Sequence, residues 1–434
     1  MLKRKTLTLR RDLGLFEATM CGMGIIFGAG IYVLMGAATG IAGNAVWLSF
    51  LIASVIAVFT GLSYAELSSI FPKDAGEYIY AEKAFGRKLA FIVGYFIILA
   101  GVVSAAAVAL GFAGYFDALF GIEYLIPVAV ALLAIFSFVN FYGIKHAAKA
   151  SIIFTCIETS GLLLIIALGF KYIGSVNYFE MPHGLTGVFS ASALVFFAFL
   201  GFDSIIKLSE ETKNPTKIIP KALLLAISIT TTVYILVAIS AVSILGWDKI
   251  AASSAPLADV AAAALGSNAF ILLAAIALFS TANTVLIILI ATSRMIYGMS
   301  EDKDRSLPEV FSRVHKKRRT PWIAIIAVLI LASAFSMIGD ITLVAELTNF
   351  AVFSAFMVVN ASLIALRYKS PNLKRKFKVP LNWGKFPVLP LLGIITCIFM
   401  LANLEPIVLA GGIGLIGLGL FIHYGLRELN YIKA

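Results

Sequence analysis

Twelve apolar runs follow one another along this chain, at approximately 14–40, 44–70, 88–116, 123–144, 149–171, 186–208, 219–246, 266–299, 321–339, 341–367, 386–404 and 407–427. About 20 apolar residues in a helix cross the hydrocarbon core of a bilayer. In lipid every backbone N–H and C=O must be satisfied inside the protein, so runs of this kind are helices. Charged residues make up only 13% of the chain, about half the share of a soluble domain, and mean hydropathy is +0.99. The expectation is an all-α membrane protein of about 12 transmembrane helices, residues 1–434 forming a single domain.

The net charge of +11 acquires meaning only from its placement. With the N-terminus in the cytoplasm, 32 of the 34 Lys and Arg fall on the inner loops, inner helix ends and termini, leaving Lys171 and Lys249 outside. That asymmetry sets the orientation, with both termini cytoplasmic in a multi-pass protein of the cell (plasma) membrane. Basic runs such as "KRKTLTLRR" (3–11), "HKKRR" (315–319) and "KRKFK" (374–378) are read first as topology signals and second as lipid-headgroup sites. Nucleic acid is not implied. No n-region and cleavage pattern precedes the first run, which itself serves as the insertion signal. Cys21, Cys156 and Cys397 lie in different runs, and the four histidines are scattered, so neither a disulfide framework nor a metal site is suggested and no cofactor is called for. Two longer loops hold short helices: 71–87, "FPKDAGEYIYAEKAFGR", with the spacing of an amphipathic helix at the inner surface, and 247–265 outside.

The first run contains "GMGIIFGAGIY", with glycines at 22, 24, 28 and 30, although glycine costs a helix about 1 kcal/mol relative to alanine. The sixth run, "ASALVFFAFLGFDSIIKLSEE", is interrupted by Gly201 with Asp203 two residues on. Two related units of five spans would be inverted relative to each other, repeat one covering about 14–171 and repeat two about 186–367, with extra helices at about 386–427. Their unwound helices would then meet near the midplane. A half-helix N-terminus attracts a carboxylate, and freed carbonyls accept an ammonium, so a zwitterion with both groups on one carbon suits such a pair of breaks. Small-xxx-small spacing such as Gly24…Gly28 also serves close helix packing, and both readings of the glycines stand at this point.

The residues carry a resemblance. "GIIFGAGIYVLMG" (24–36), "YAELSSIFPKDAGEYIYAEKAFGRKLAFIVGY" (64–95), "FFAFLGFDSIIKLSEETKNPTKIIPKAL" (196–223), "RMIYGMSEDKDRSLPEVFSRVHKKRRTPWIAI" (294–325) and "LRYKSPNLKRKFKVPL" (366–381) are similar, in order, to blocks of the amino acid/polyamine/organocation (APC) superfamily of permeases. The branch they resemble is that of the cationic amino acid transporters. The resemblance implies a five-plus-five inverted repeat with broken helices 1 and 6, and two C-terminal helices. It also implies alternating access and secondary active, sodium-independent transport of amino acids by proton-coupled symport or exchange. A polyamine or organocation exchanger of the same fold is the alternative, and a solute channel a weaker one. Carried over by position, backbone groups of Gly28, Ala29 and Gly30 would bind the substrate carboxylate, and the carbonyls of Ile26, Phe197 and Leu200 its amino group. Some members have serine at the position of Ala29, so here carboxylate binding rests on amides alone. Phe197 and Phe199 are aromatic walls or gates, with ordinary packing as the alternative.

Ionisable groups at membrane depth are functional candidates. Asp203 is read as a proton-sensitive switch or contact to a cationic substrate, or else as a cap for freed amides. Glu158, in "FTCIETSGLL", stands where many sodium-independent relatives have a lysine. A carboxylate out of water is costly to keep charged, which makes Glu158 a candidate proton carrier, with a fixed ion pair or a bound cation as alternatives. Glu346 and Glu17 are expected to be gate or interface residues that reach water. Ser280, Thr281, Asn283 and Thr284 form a polar cluster facing the first helix, with Asn283 a candidate substrate contact and intrahelical bonding the alternative. Arg294 is an interface anchor. No catalytic constellation and no phosphate-binding glycine loop appears, so neither a membrane enzyme nor an ATP-driven pump is indicated.

Overall fold

A computed structural model describes residues 13–71, 76–142, 147–208, 212–301 and 306–428. In chain order the helices are α1 (Leu15–Phe27), α2 (Ala29–Ala42), α3 (Val46–Ile70), α4 (Gly76–Phe85), α5 (Arg87–Phe120), α6 (Leu125–Tyr142), α7 (Ala147–Gly169) and α8 (Gly184–Val195). They continue as α9 (Pro215–Leu245), α10 (Trp247–Ala251), α11 (Pro256–Leu265), α12 (Ser267–Glu301), α13 (Trp322–Ser336), α14 (Ile341–Lys369), α15 (Val388–Ala402) and α16 (Pro406–Glu428). A two-residue hairpin pairs β1 (Asn382–Trp383) antiparallel to β2 (Phe386–Pro387). The protein is an all-α membrane protein, and nine helical stretches among the described residues are long and apolar enough to cross a bilayer.

Helices lie under all twelve apolar runs, but two are cut short for local reasons. α13 has 15 residues, a length of about 22 Å, because the chain turns through Met337 to Gly339, whose φ of 73° is open to glycine. α15 also has 15 residues, because Phe386 and Pro387, at the start of the apolar run, pair with the hairpin instead. The loop 71–87 carries α4 over its described part, residues 72–75 lying outside it, and the loop 247–265 carries two helices, α10 and α11.

The interior is built around α5, a helix of 34 residues and about 51 Å that packs against α12 and α14. Its stretch "GVVSAAAVALGF" (101–112) keeps side chains small, so neighbours come close. A Cβ at Gly101 would collide with Thr292 and one at Gly111 with Val33. α3 packs on α9, and α1 packs on α7 and α9.

At one end of the bundle a buried charge cluster ties the chain after α14 to α3. Glu66 is 0% and Arg367 4% exposed. Arg367 Nε donates to Glu66 Oε1 at 3.0 Å, the Val379 N–H donates to Oε2 at 2.7 Å, and Arg375 Nε lies 3.1 Å from Oε1. Arg375 belongs to the run 374–378, so one member of that basic run is an internal structural partner.

Candidate functional site

Two helices are interrupted. α1 ends at Phe27 and α2 begins at Ala29; Gly28 between them has φ −35° and ψ −154°, which is not helical. α8 ends at Val195 and gives way to a 3-10 turn, Phe196–Phe199. Leu200 then adopts an extended ψ of 142° and Gly201 a φ of 107°, which requires glycine. A second 3-10 segment, Phe202–Leu208, follows.

Breaking a helix at membrane depth leaves carbonyls that need donors, and two side chains from other helices supply them. The Tyr234 hydroxyl of α9 lies 2.7 Å from the Ile26 carbonyl and 3.0 Å from the Ala198 carbonyl. It has one proton for two acceptors, one at each break, and therefore ties the two interruptions together. Asn349 of α14 donates its amide hydrogens to the Ala193 and Leu194 carbonyls at 2.7 and 3.0 Å.

The glycines serve both of the purposes open at the sequence level. A Cβ at Gly22 would collide with Ile205, at Gly24 with the Thr155 hydroxyl, at Gly28 with the Thr284 hydroxyl and at Gly30 with the backbone of Ala198. Close packing thus brings the first interrupted helix against α7, α12 and the second interruption. Gly24, Gly28 and Gly30 also line a cavity of about 150 Å³ between the breaks, α5, α12 and α14. A cavity of that volume holds a molecule about the size of benzene.

Of the candidate substrate contacts, Ile26, Gly28, Gly30, Phe197, Leu200 and Asp203 border this cavity. Ala29 contributes the first residue of α2. Asn283 is not on the wall; its side chain faces Glu158 instead. Phe199 is 0% exposed and stacks edge-on to Tyr234 with ring centroids 5.4 Å apart, so it acts as packing behind the break. Glu346, expected to reach water, is buried, because α16 covers it and the Glu405 N–H donates to its carboxylate at 3.2 Å. Glu17 accepts from the Gly14 N–H at 2.9 Å and caps the start of α1. Thr281 and Thr284 bond back to the Ala277 and Ser280 carbonyls of their own helix at 2.8 and 2.9 Å, and Thr284 also borders the cavity. Arg294 is exposed and away from the cavity.

Glu158 is 0% exposed. Neither carboxyl oxygen has a hydrogen bond of good geometry among the described residues, and the Ser280 hydroxyl beside it also lacks one. Ser280 and Asn283 are the side chains placed to supply such bonds. The backbone carbonyl of Glu158 accepts from the Tyr32 hydroxyl of α2 at 2.9 Å, so α7 at this level is coupled to the segment just past the first break.

Sequence reasoning did not find Tyr234 or Asn349. Each is one polar residue in an apolar helix, which by itself signals nothing, and each matters only because a carbonyl of a distant segment lies opposite. It also did not find Thr292 or Phe356, which border the cavity.

The sequence pattern of the amino acid permeases matches residues 13–416. The chain belongs to the amino acid permease family. Among its relatives, the branched-chain amino acid permease BcaP of Bacillus subtilis (strain 168) is 32% identical over 96% of this permease and 93% of the relative. The methylthioribose transporter of the same organism is 30% identical over 97% and 94%. Cationic amino acid transporter 4 of Mus musculus is 30% identical over 84% of this permease and 61% of the relative. These relatives are transporters and permeases, not enzymes, and the resemblance to amino acid permeases read from the sequence holds over nearly the whole chain.

Proposed function

We propose that this permease is a secondary active transporter of amino acids with apolar side chains, working by alternating access without sodium, at the cell membrane with both termini in the cytoplasm. The observation that carries the reading is the pair of interruptions, at Gly28 and at Leu200–Gly201, bordering one small cavity. The N-terminus of α2 offers the amides of Ala29 and Gly30 to a carboxylate, with the positive end of the helix dipole behind them. Carbonyls of Phe197 and Leu200 accept the amino group, with the Ile26 carbonyl as a third acceptor that the group shares with Tyr234. Beyond the zwitterion, Val108, Ile287, Ile288 and Val352 offer an apolar wall, which favours a neutral substrate side chain and agrees with the relative BcaP being a branched-chain amino acid permease. A cationic amino acid or polyamine is the second reading, favoured by Asp203 on the wall.

A five-plus-five inverted repeat is supported by the positions of the short helices. α4 falls between the second and third spans of one unit, and α10 with α11 between the second and third of the other. Proton coupling would run through Glu158, which is buried, has no ion partner among the described residues, and is joined to α2 through Tyr32. The test is counterflow in proteoliposomes over the twenty amino acids and common polyamines. Saturable, trans-stimulated uptake led by leucine, isoleucine or valine supports the reading; a linear conductance, or trans-stimulation by polyamines alone, overturns it.

A further inference from the structure

The loop between α12 and α13 carries a basic turn held in a defined shape. The His315 N–H donates to the Thr320 carbonyl at 2.9 Å and the Arg319 N–H to the His315 carbonyl at 2.8 Å, closing the turn. Arg319 takes a φ of 56° to complete it. The turn is fixed to the end of α6 by three contacts. The Thr320 hydroxyl donates to the Phe141 carbonyl at 2.9 Å, the His315 ring packs against Phe141 at 5.1 Å, and the Arg318 guanidinium lies 4.1 Å from the centre of the Tyr142 ring. Topology signalling requires only charge, and a disordered tail would provide it; this run is held in shape.

The turn borders an open, shallow cleft lined by Arg313, Val314, His315, Lys316, Lys317 and Trp322. Among the described residues none of these cations forms an ion pair. The cleft opens onto an apolar stripe. Trp322, at the first turn of α13, is followed at helical spacing by Ile326 and Ile330, all three exposed, the last at 62%. Beside it α6 exposes Phe138 and Tyr142, one turn apart, with ring centroids 4.7 Å from each other. An indole at a helix end marks the level of lipid headgroups. A group of cations above that level, with a chain-length apolar track below it, matches one amphiphile: a lipid with an anionic phosphate head.

We propose that this cleft binds the headgroup of an anionic phospholipid, with the phosphate held by Arg313, Lys316 and Lys317, Trp322 at the glycerol level and an acyl chain along Ile326 and Ile330. The site is separate from the transport cavity, with which it shares no lining residue, and it does not depend on what the permease carries. A free inorganic phosphate would use the same cations but not the stripe.

The experiment measures retention of phosphatidylglycerol against phosphatidylcholine by the full-length purified protein, by native mass spectrometry. The variants are K316Q/K317Q, I326N, and the control K374Q/K376Q/K378Q, which removes exposed charges from the other basic run; melting curves establish that each is folded. The expected result is a loss of phosphatidylglycerol affinity of about tenfold or more in K316Q/K317Q, a smaller loss in I326N, and no loss in the control. Equal retention by K316Q/K317Q and the native protein overturns the proposal, as does an equal loss in the control, which would make binding a matter of overall charge. Displacement of the lipid by submillimolar inorganic phosphate overturns the lipid assignment.

Discussion

Glu66 and Glu158 are both completely removed from solvent, and the structure treats them in opposite ways. The carboxylate of Glu66 meets two guanidinium groups and a backbone N–H, all from the segment 367–379, and so joins α3 to the end of α14. That of Glu158 meets no cation among the described residues, and Ser280 and Asn283 are the side chains placed to bond it. A compensated buried charge is a fixture, because removing one partner strands the others. An uncompensated carboxyl is stable at depth only when neutral or when a mobile cation visits. Location agrees: Glu66 is not on the wall of the cavity between the breaks, whereas Glu158 lies on α7 and is tied to the segment past the first interruption through Tyr32.

This contrast is breakable by mutation. The largest effect on stability is expected from Glu66→Ala, which leaves Arg367 and Arg375 buried without their carboxylate, a cost of about 3–5 kcal/mol. The readout is a steep fall in melting temperature in detergent, and a normal melting curve would show that the cluster is not a fixture. Gly30→Val should lower the melting temperature and also cut uptake below about a tenth, because it forces the two interruptions apart. A Cβ there meets the Ala198 backbone, and backbone has no rotamer with which to yield.

Glu158→Gln is the converse of the first variant. Glutamine has the shape of the neutral acid, so the melting temperature should be unchanged or raised, while acid stimulation of uptake in proteoliposomes disappears. Stability lost as heavily as in the Glu66 variant would mean that Glu158 has a fixed partner after all. The smallest expected effect is that of Tyr234→Phe, which removes one hydroxyl and leaves the ring stacked on Phe27, Phe50 and Phe199. About 0.5–1.5 kcal/mol is at stake, seen as a modest drop in melting temperature and a several-fold change in uptake rate; identical kinetics would remove Tyr234 as the tie between the breaks.

Reading Glu158 as exceptional required only its depth in an apolar run, and the glycines at 28 and 201 pointed to both interruptions because the two fall five spans apart at matching places in the proposed units. Arg375 could not be separated from its neighbours in "KRKFK", since nothing local tells the one guanidinium that turns inward from the lysines beside it. Phe199 and Asn283 were placed on the cavity wall from their neighbours' positions. The 3-10 geometry after Val195 instead points Phe199 at Tyr234, and Asn283 lies one residue before the one, Thr284, that faces the cavity.

Hydropathy and glycine placement are properties of short stretches, and from them alone came the membrane, the helix positions and the sites of the two breaks. The partners came from tertiary structure: Glu66 to Arg367 across 301 residues, Tyr234 to Ile26 across 208, Asn349 to Ala193 across 156. A soluble helix shows its inner face by its apolar stripe, but a helix in lipid is apolar on every side. Which face meets which neighbour is therefore left for packing to decide.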